Sequence, residues 1–137
     1  MSARLSLTVK TQAEELARIT AAVEDFGEQE EWPPDLVFRV NLALEELGMN
    51  IMNHGYDAGL HEFDITLTSE DDTLTIEIVD DGRPFDPLHD AKQPDVGAAI
   101  EDRPIGGLGI YFVREMMDEM HYRREDGKNH LTLVSRR

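Results

Sequence analysis

Glu46, Asn50 and Asn53 stand at i, i+4 and i+7 in a stretch of helical periodicity, so a carboxylate and two carboxamides share one helix face. That face is distinct from the apolar stripe of Val37, Val40, Leu44, Leu47 and Ile51. Gly48 sits beside it in the helix interior, where glycine costs about 1 kcal/mol relative to alanine; close approach of another backbone or of a ligand would offset that. The face reads either as a solvated polar surface or as a holder of magnesium and phosphate. Magnesium takes oxygen ligands and keeps several waters, so one amide oxygen can hold it while the neighbouring carboxylate acts as general base. Asp80-Asp81-Gly82 reads as a turn closing a strand, or as an acceptor for an exocyclic amino group such as adenine presents, with Gly82 admitting a flat ring. Gly106-Gly107-Leu108-Gly109 opens a helix, and exposed N–H groups there attract phosphate; a flexible hinge is the competing reading. No Gly-Lys-Ser/Thr follows, so it is not a Walker loop, and Phe112 in the third glycine's place argues against a dinucleotide fingerprint.

The elements that must position these residues follow from periodicity. Leu5, Leu7 and Val9 alternate as a half-buried strand, and Thr11 with Glu14 forms a capping-box pattern before a helix through Leu16, Ile19, Val23 and Phe26, with Gly27 as its stop. Gly27 to Trp32 reads as a loop. Pro33, Pro34 and Asp35 start the second helix, which ends near His54-Gly55-Tyr56. Phe63, Ile65 and Leu67, then Leu74, Ile76 and Ile78, predict a hairpin turning at Glu70 to Thr73. The stretch Asp80 to Pro104 has no period and four prolines, the mark of a long mobile loop. A helix through Ile110, Val113, Met116 and Met117 and a hairpin around Asp126-Gly127-Lys128-Asn129 complete a β-α-α-β-β-loop-α-β-β order. The expected fold is α+β: a two-layer sandwich of a mostly antiparallel, mixed sheet with about three helices on one face.

The chain has 137 residues, the size of one domain, and no cysteine, so neither disulfides nor thiolate metal sites are available. Its net charge of −16 opposes sequence-independent nucleic-acid binding. Met1 to Lys10 lacks a signal-peptide pattern and no apolar run reaches membrane-spanning length, so no membrane partner and a cytoplasmic location are expected.

Taken in order, Glu46-x-x-x-Asn50-x-x-x-His54-Gly55, Asp80-x-Gly82 and Gly106-Gly107-Leu108-Gly109 resemble the GHKL (Bergerat-fold) ATPase superfamily over about Leu5 to Val134. Leu42-Ala43-Leu44-Glu45-Glu46 leading to Asn53-His54-Gly55-Tyr56, Asp80-Asp81-Gly82-Arg83-Pro84-Phe85-Asp86-Pro87, and Gly107-Leu108-Gly109-Ile110-Tyr111 with Met116-Met117-Asp118 are similar to the bacterial anti-sigma-factor serine/threonine kinases. The resemblance implies one ATP-binding kinase domain over 1–137, with ATP and Mg²⁺ as cofactors. It implies Glu46 as general base, Asn50 on the metal, Asp80 on the adenine amino group, and Gly82 admitting the ring. Further ATP contacts fall on Asn53, His54, Phe85, Gly106, Gly107, Leu108, Gly109 and Ile110. A lid at about 84–105 would close over the site and could bring in Arg103. Implied partners are a sigma factor, a STAS-type anti-sigma antagonist phosphorylated on serine, and a second copy of the chain. The alternative is a non-catalytic, ATP-gated binding module of the same fold. The catalytic half of a histidine kinase is disfavoured, since no room remains for a phosphoacceptor hairpin. The sequence departs from the family where Met49 replaces a small hydroxyl residue, where Ile105 replaces a basic one, and where His130 stands in place of a threonine near the base.

Overall fold

The computed structural model describes residues 2–88 and 107–137. The order is β1 (Ala3–Lys10), α1 (Glu15–Gln29), α2 (Pro34–His54), β2 (Glu62–Ser69), β3 (Thr73–Asp80), α3 (Gly107–Met116), β4 (Glu119–Glu125) and β5 (Lys128–Arg136). The strands form one five-stranded sheet in the order β1-β2-β3-β5-β4. Every pairing is antiparallel, not mixed as expected. The helix pair α1–α2 runs out and back between β1 and β2, returning the chain to the end it left, so β2 reverses β1 without a parallel crossover.

Register aligns the apolar phase of each strand. Leu7, Ile65, Ile78, Leu131 and Tyr122 form one row across the sheet, and Leu5, Leu67, Ile76, Leu133 and Met120 form the next. These rows join Ile19, Val23, Val40, Leu44, Leu47 and Val113 of the helices in one core. The other phase (Asp64, Thr66, Thr68, Glu77) stays at least partly exposed, which places all three helices on one face. The β4–β5 turn places Asp126 and Gly127 at φ 54° and 75°, the positive-φ pair a two-residue hairpin of matching twist requires.

Three local expectations are corrected. Thr11 does not cap α1; its Oγ1 accepts the His61 N–H at 2.9 Å, tying the end of β1 to the approach to β2, while Glu15 Oε1 accepts the Lys10 N–H. Gly27 does not end α1, which continues to Gln29: a Cβ there would meet Val37 at 2.9 Å and Trp32 at 3.0 Å, so the missing side chain serves packing inside the helix. At Gly48 a Cβ would make ordinary contacts, Leu16 at 3.5 Å and Phe63 at 3.8 Å, with no close backbone and no ligand face. Residues 84–88 of the expected lid are described; the remainder, with Arg103, Ile105 and Gly106, lies outside the described residues.

Candidate functional site

The inward-facing phase of the sheet turns polar at both ends, with different outcomes. At one end, Ser69 Oγ accepts from Trp32 Nε1 at 3.1 Å and Ser135 Oγ from Arg39 Nη1 at 2.7 Å, so both hydroxyls are engaged. At the other end, Asp80 continues the inward series Leu74, Ile76, Ile78 and faces Asn129 in register. A carboxylate therefore occupies a position the alternation assigns to an apolar side chain, and it is only 8% exposed. Its Oδ1 accepts the Gly82 N–H at 2.9 Å and the Asn129 Nδ2–H at 3.0 Å. Its Oδ2 has no hydrogen-bond partner among the described residues. That oxygen is an acceptor on the cavity wall, where a ligand donor could meet it.

Asp80 lines a cavity of about 230 Å³. Leu47, Ile51, Ile78, Leu131, Phe85 and Tyr122 supply apolar walls, and Asn50, Asn53 and His54, from the last turns of α2, supply a polar side. Asn53 and His54 are exposed and Asn50 is half-buried, which puts the polar side toward solvent. None of these three side chains hydrogen-bonds to another described residue. Asn50, Asn53, His54, Asp80 and Phe85 are thus brought together from two separate stretches of sequence.

Glu46 lies one turn further back on α2, about 6 Å along the axis from Asn50, and outside the cavity wall. It meets the start of α3 instead: a methyl group on Gly109 would overlap its carboxylate. Burial raises the Glu46 pKa above the ordinary glutamate range, and the neighbouring charge of Glu45 raises it further. Gly107 is the first residue of α3, Leu108 falls in the same turn, and Ile110 is buried at 3% exposed. The helix therefore opens where the glycine-rich turn predicts, with Gly109 against the Glu46 carboxylate.

Gly82 has a packing role. A Cβ there would lie 2.6 Å from the Gly55 carbonyl oxygen, which also accepts the Arg83 N–H at 2.9 Å. The end of α2 thus packs closely on the side of Gly82 where a Cβ would stand. Tyr56 braces the same junction: its hydroxyl donates to Asp81 Oδ1 at 2.6 Å and its ring stacks on His61 at 3.9 Å. Burial, then that bond, push the Tyr56 pKa up, and the bond pulls the Asp81 pKa down.

The neighbour of Asp80 on β5 is Asn129, not His130. His130 pairs with Val79 and Arg123 in the outward phase, whereas Asn129 begins the inward series Asn129, Leu131, Leu133, Ser135. Asn129, Tyr122, Leu131 and Arg83 were not anticipated as site residues. For Asn129 and Leu131 the signal was present in the alternation of β5, one residue out of phase with the position assigned. Tyr122 lies in phase with Met120, and burial raises its pKa, with Arg124 opposing.

Among the described residues no cluster of His, Asp and Glu could hold a metal ion by itself. The Asn50 carboxamide, a neutral oxygen donor facing the cavity, suits a magnesium ion that keeps water and brings other oxygen ligands with it.

Known proteins resemble this chain over nearly its whole length. The chain is 31% identical over 135 residues to the serine/threonine-protein kinase BtrW of Bordetella bronchiseptica, covering 96% of this chain and 89% of that protein. It is 24% identical over 128 residues to the serine-protein kinase RsbW of Bacillus cereus, covering 90% and 79%. In structure it is similar to a crystal structure of the RsbU and RsbW domains of a Mycobacterium tuberculosis protein (TM-score 0.65, 14% identity), covering 98% of this chain and 32% of that longer one. A SiaB–SiaC complex from Pseudomonas aeruginosa gives a TM-score of 0.60 at 13% identity, covering 97% and 89%. These two share the fold. Residues 9–135 match the family described as histidine kinase-like ATPase domain, and the chain belongs to that family.

Proposed function

We propose that this protein is a Mg-ATP-dependent serine kinase of the anti-sigma regulatory type, transferring the terminal phosphoryl group of ATP to a serine of a small antagonist protein. The observation that carries the reading is the Asp80 carboxylate on the wall of an apolar cavity, its Oδ2 without a partner among the described residues, opposite a polar side of Asn50, Asn53 and His54. Adenine offers an exocyclic amine that such an oxygen accepts, and the aromatic and aliphatic walls suit a flat heterocycle. At about 230 Å³ the cavity is smaller than the ~300–1,000 Å³ that encloses a drug-sized ligand, so it takes the base while the triphosphate extends past α2.

Asn50 is the residue to hold magnesium, which when bound would neutralise phosphate charge. The N–H groups at the start of α3 would face phosphate oxygens. Glu46, against that same turn, would orient the serine hydroxyl and take its proton. The curated relatives are named as serine kinases, which supports the reaction class. A net charge of −16 favours a partner with a basic contact surface.

Incubation with γ-labelled ATP and candidate antagonist proteins tests the proposal. Label is expected on a serine of one antagonist. ATP binding with no transfer to any of them supports the gated-module reading instead.

A further inference from the structure

Asn129 is the most highly connected side chain at the cavity. Its Nδ2 donates to Asp80 Oδ1 at 3.0 Å and to the Arg83 carbonyl at 2.8 Å. Its Oδ1 accepts the Tyr122 hydroxyl at 2.5 Å and the Phe85 N–H at 3.4 Å. Both amide protons and both lone pairs are used, the full capacity of a carboxamide. The orientation is fixed as well: turned over, the amide would aim its oxygen at the Asp80 carboxylate and at the Arg83 carbonyl, placing acceptor against acceptor. The residue is 6% exposed, so solvent cannot substitute for these bonds.

Two features make this more than local packing. Asn129 holds Asp80 by Oδ1, and by doing so leaves Oδ2 as the oxygen available to a ligand. It also holds Arg83 and Phe85, the first residues after Asp80-Asp81-Gly82. Arg124, its register partner on β4, donates to the Gly82 carbonyl at 2.8 Å. One hairpin thereby grips residues 82–85 and the base-facing carboxylate together.

We propose that Asn129 is a positioning residue that sets nucleobase selectivity: it locks the Asp80 carboxylate in one orientation and couples it to the segment Arg83–Phe85, with Tyr122 fixing the amide from behind. The proposal rests on reading the cavity as an adenine site. Without Asn129 the carboxylate loses its second anchor and can turn, so it no longer discriminates an amino group from a carbonyl at the same ring position.

The test is titration with ADP and with inosine diphosphate, which differ at that ring position, using the full chain. The wild-type protein is expected to prefer ADP by at least about tenfold, the scale of one hydrogen bond to a charged group. In Asn129→Ala the preference should fall to about threefold or less. Asn129→Asp keeps the shape but sets a second carboxylate oxygen against Asp80, and should lose the preference as fully. Tyr122→Phe, which removes only the hydroxyl behind the amide, should give an intermediate ratio, and it serves if the Asn129 variants do not fold. Leu133→Ala, a core truncation away from the cavity, should lower the melting temperature and leave the ratio unchanged. Folded Asn129→Ala with the wild-type ratio, or Tyr122→Phe with the wild-type ratio where Asn129→Ala does not fold, overturns this proposal alone. A wild-type protein that binds neither nucleotide, or both equally, overturns the adenine reading and this proposal with it.

Discussion

Asp80→Asn is expected to lower ATP affinity about 10–100-fold and to reverse the preference between adenine and a 6-oxo purine, while the fold survives. The physical reason lies in which oxygen is occupied. The carboxamide can keep its oxygen toward the Gly82 N–H and the Asn129 Nδ2–H, where Asp80 Oδ1 now sits. Its NH₂ then falls where Oδ2 was, and a donor faces the donor of the adenine amine. A hydrogen bond to a charged group contributes about 1.5–3 kcal/mol, which sets the range of the loss. An inosine or guanosine nucleotide presents a carbonyl at that position and gains a partner in the variant. Calorimetric titration with ATP and ITP reads both effects, and a variant that keeps wild-type preference contradicts the role given to Asp80.

Glu46→Gln is expected to reduce serine phosphorylation by about 10²–10⁴-fold with little change in ATP affinity, because the residue lies outside the cavity wall and its proposed partner is the hydroxyl. Melting temperature separates this loss from misfolding. The Glu46 pKa is raised, chiefly by burial and then by Glu45, so the folded state holds the proton more tightly than the unfolded chain. Ionising the residue as pH rises therefore lowers stability, and at neutral pH the glutamine variant should melt at the same temperature or higher. The same shift sets the wild-type pH profile. The base works deprotonated, so kcat/KM should fall as pH decreases, with its midpoint above the ordinary glutamate range. That limb should be absent from the residual activity of Glu46→Gln. A profile with its midpoint at or below the ordinary range, or one unchanged by the substitution, removes Glu46 from the reaction.

Much of the fold was legible because strand alternation and helix stripes are repeated signals. The phase of Leu74, Ile76 and Ile78 also put Asp80 on the core side of β3, though only pairing with β5 shows that the carboxylate meets Asn129. The register had to be seen because a one-residue shift reverses which face a strand residue occupies, and the polar turn before Asn129 and His130 offers no apolar marker of phase. What the glycines pack against was hidden for a related reason. Gly27, Gly82 and Gly109 are each small because another part of the chain comes close, Trp32, the Gly55 carbonyl and Glu46 respectively, and such approaches are tertiary facts. Thr11 carried a correct local signature for a cap, which lost to a hydrogen bond with His61, 50 positions away. The site residues read correctly as lying together were those held by periodicity: Asn50 and Asn53 on one helix face, and Asp80 at the end of an alternating strand.

The proposed mechanism needs one cavity to receive the base at Asp80 and to direct the phosphates toward Asn50. ATP titration with and without Mg²⁺ on the wild type, Asn50→Ala and Asp80→Asn tests it most directly. Magnesium is expected to tighten binding to the wild type and to Asp80→Asn, and Asn50→Ala to lose the magnesium effect while still preferring adenine. A magnesium dependence that persists in Asn50→Ala, together with unchanged affinity in Asp80→Asn, would contradict it.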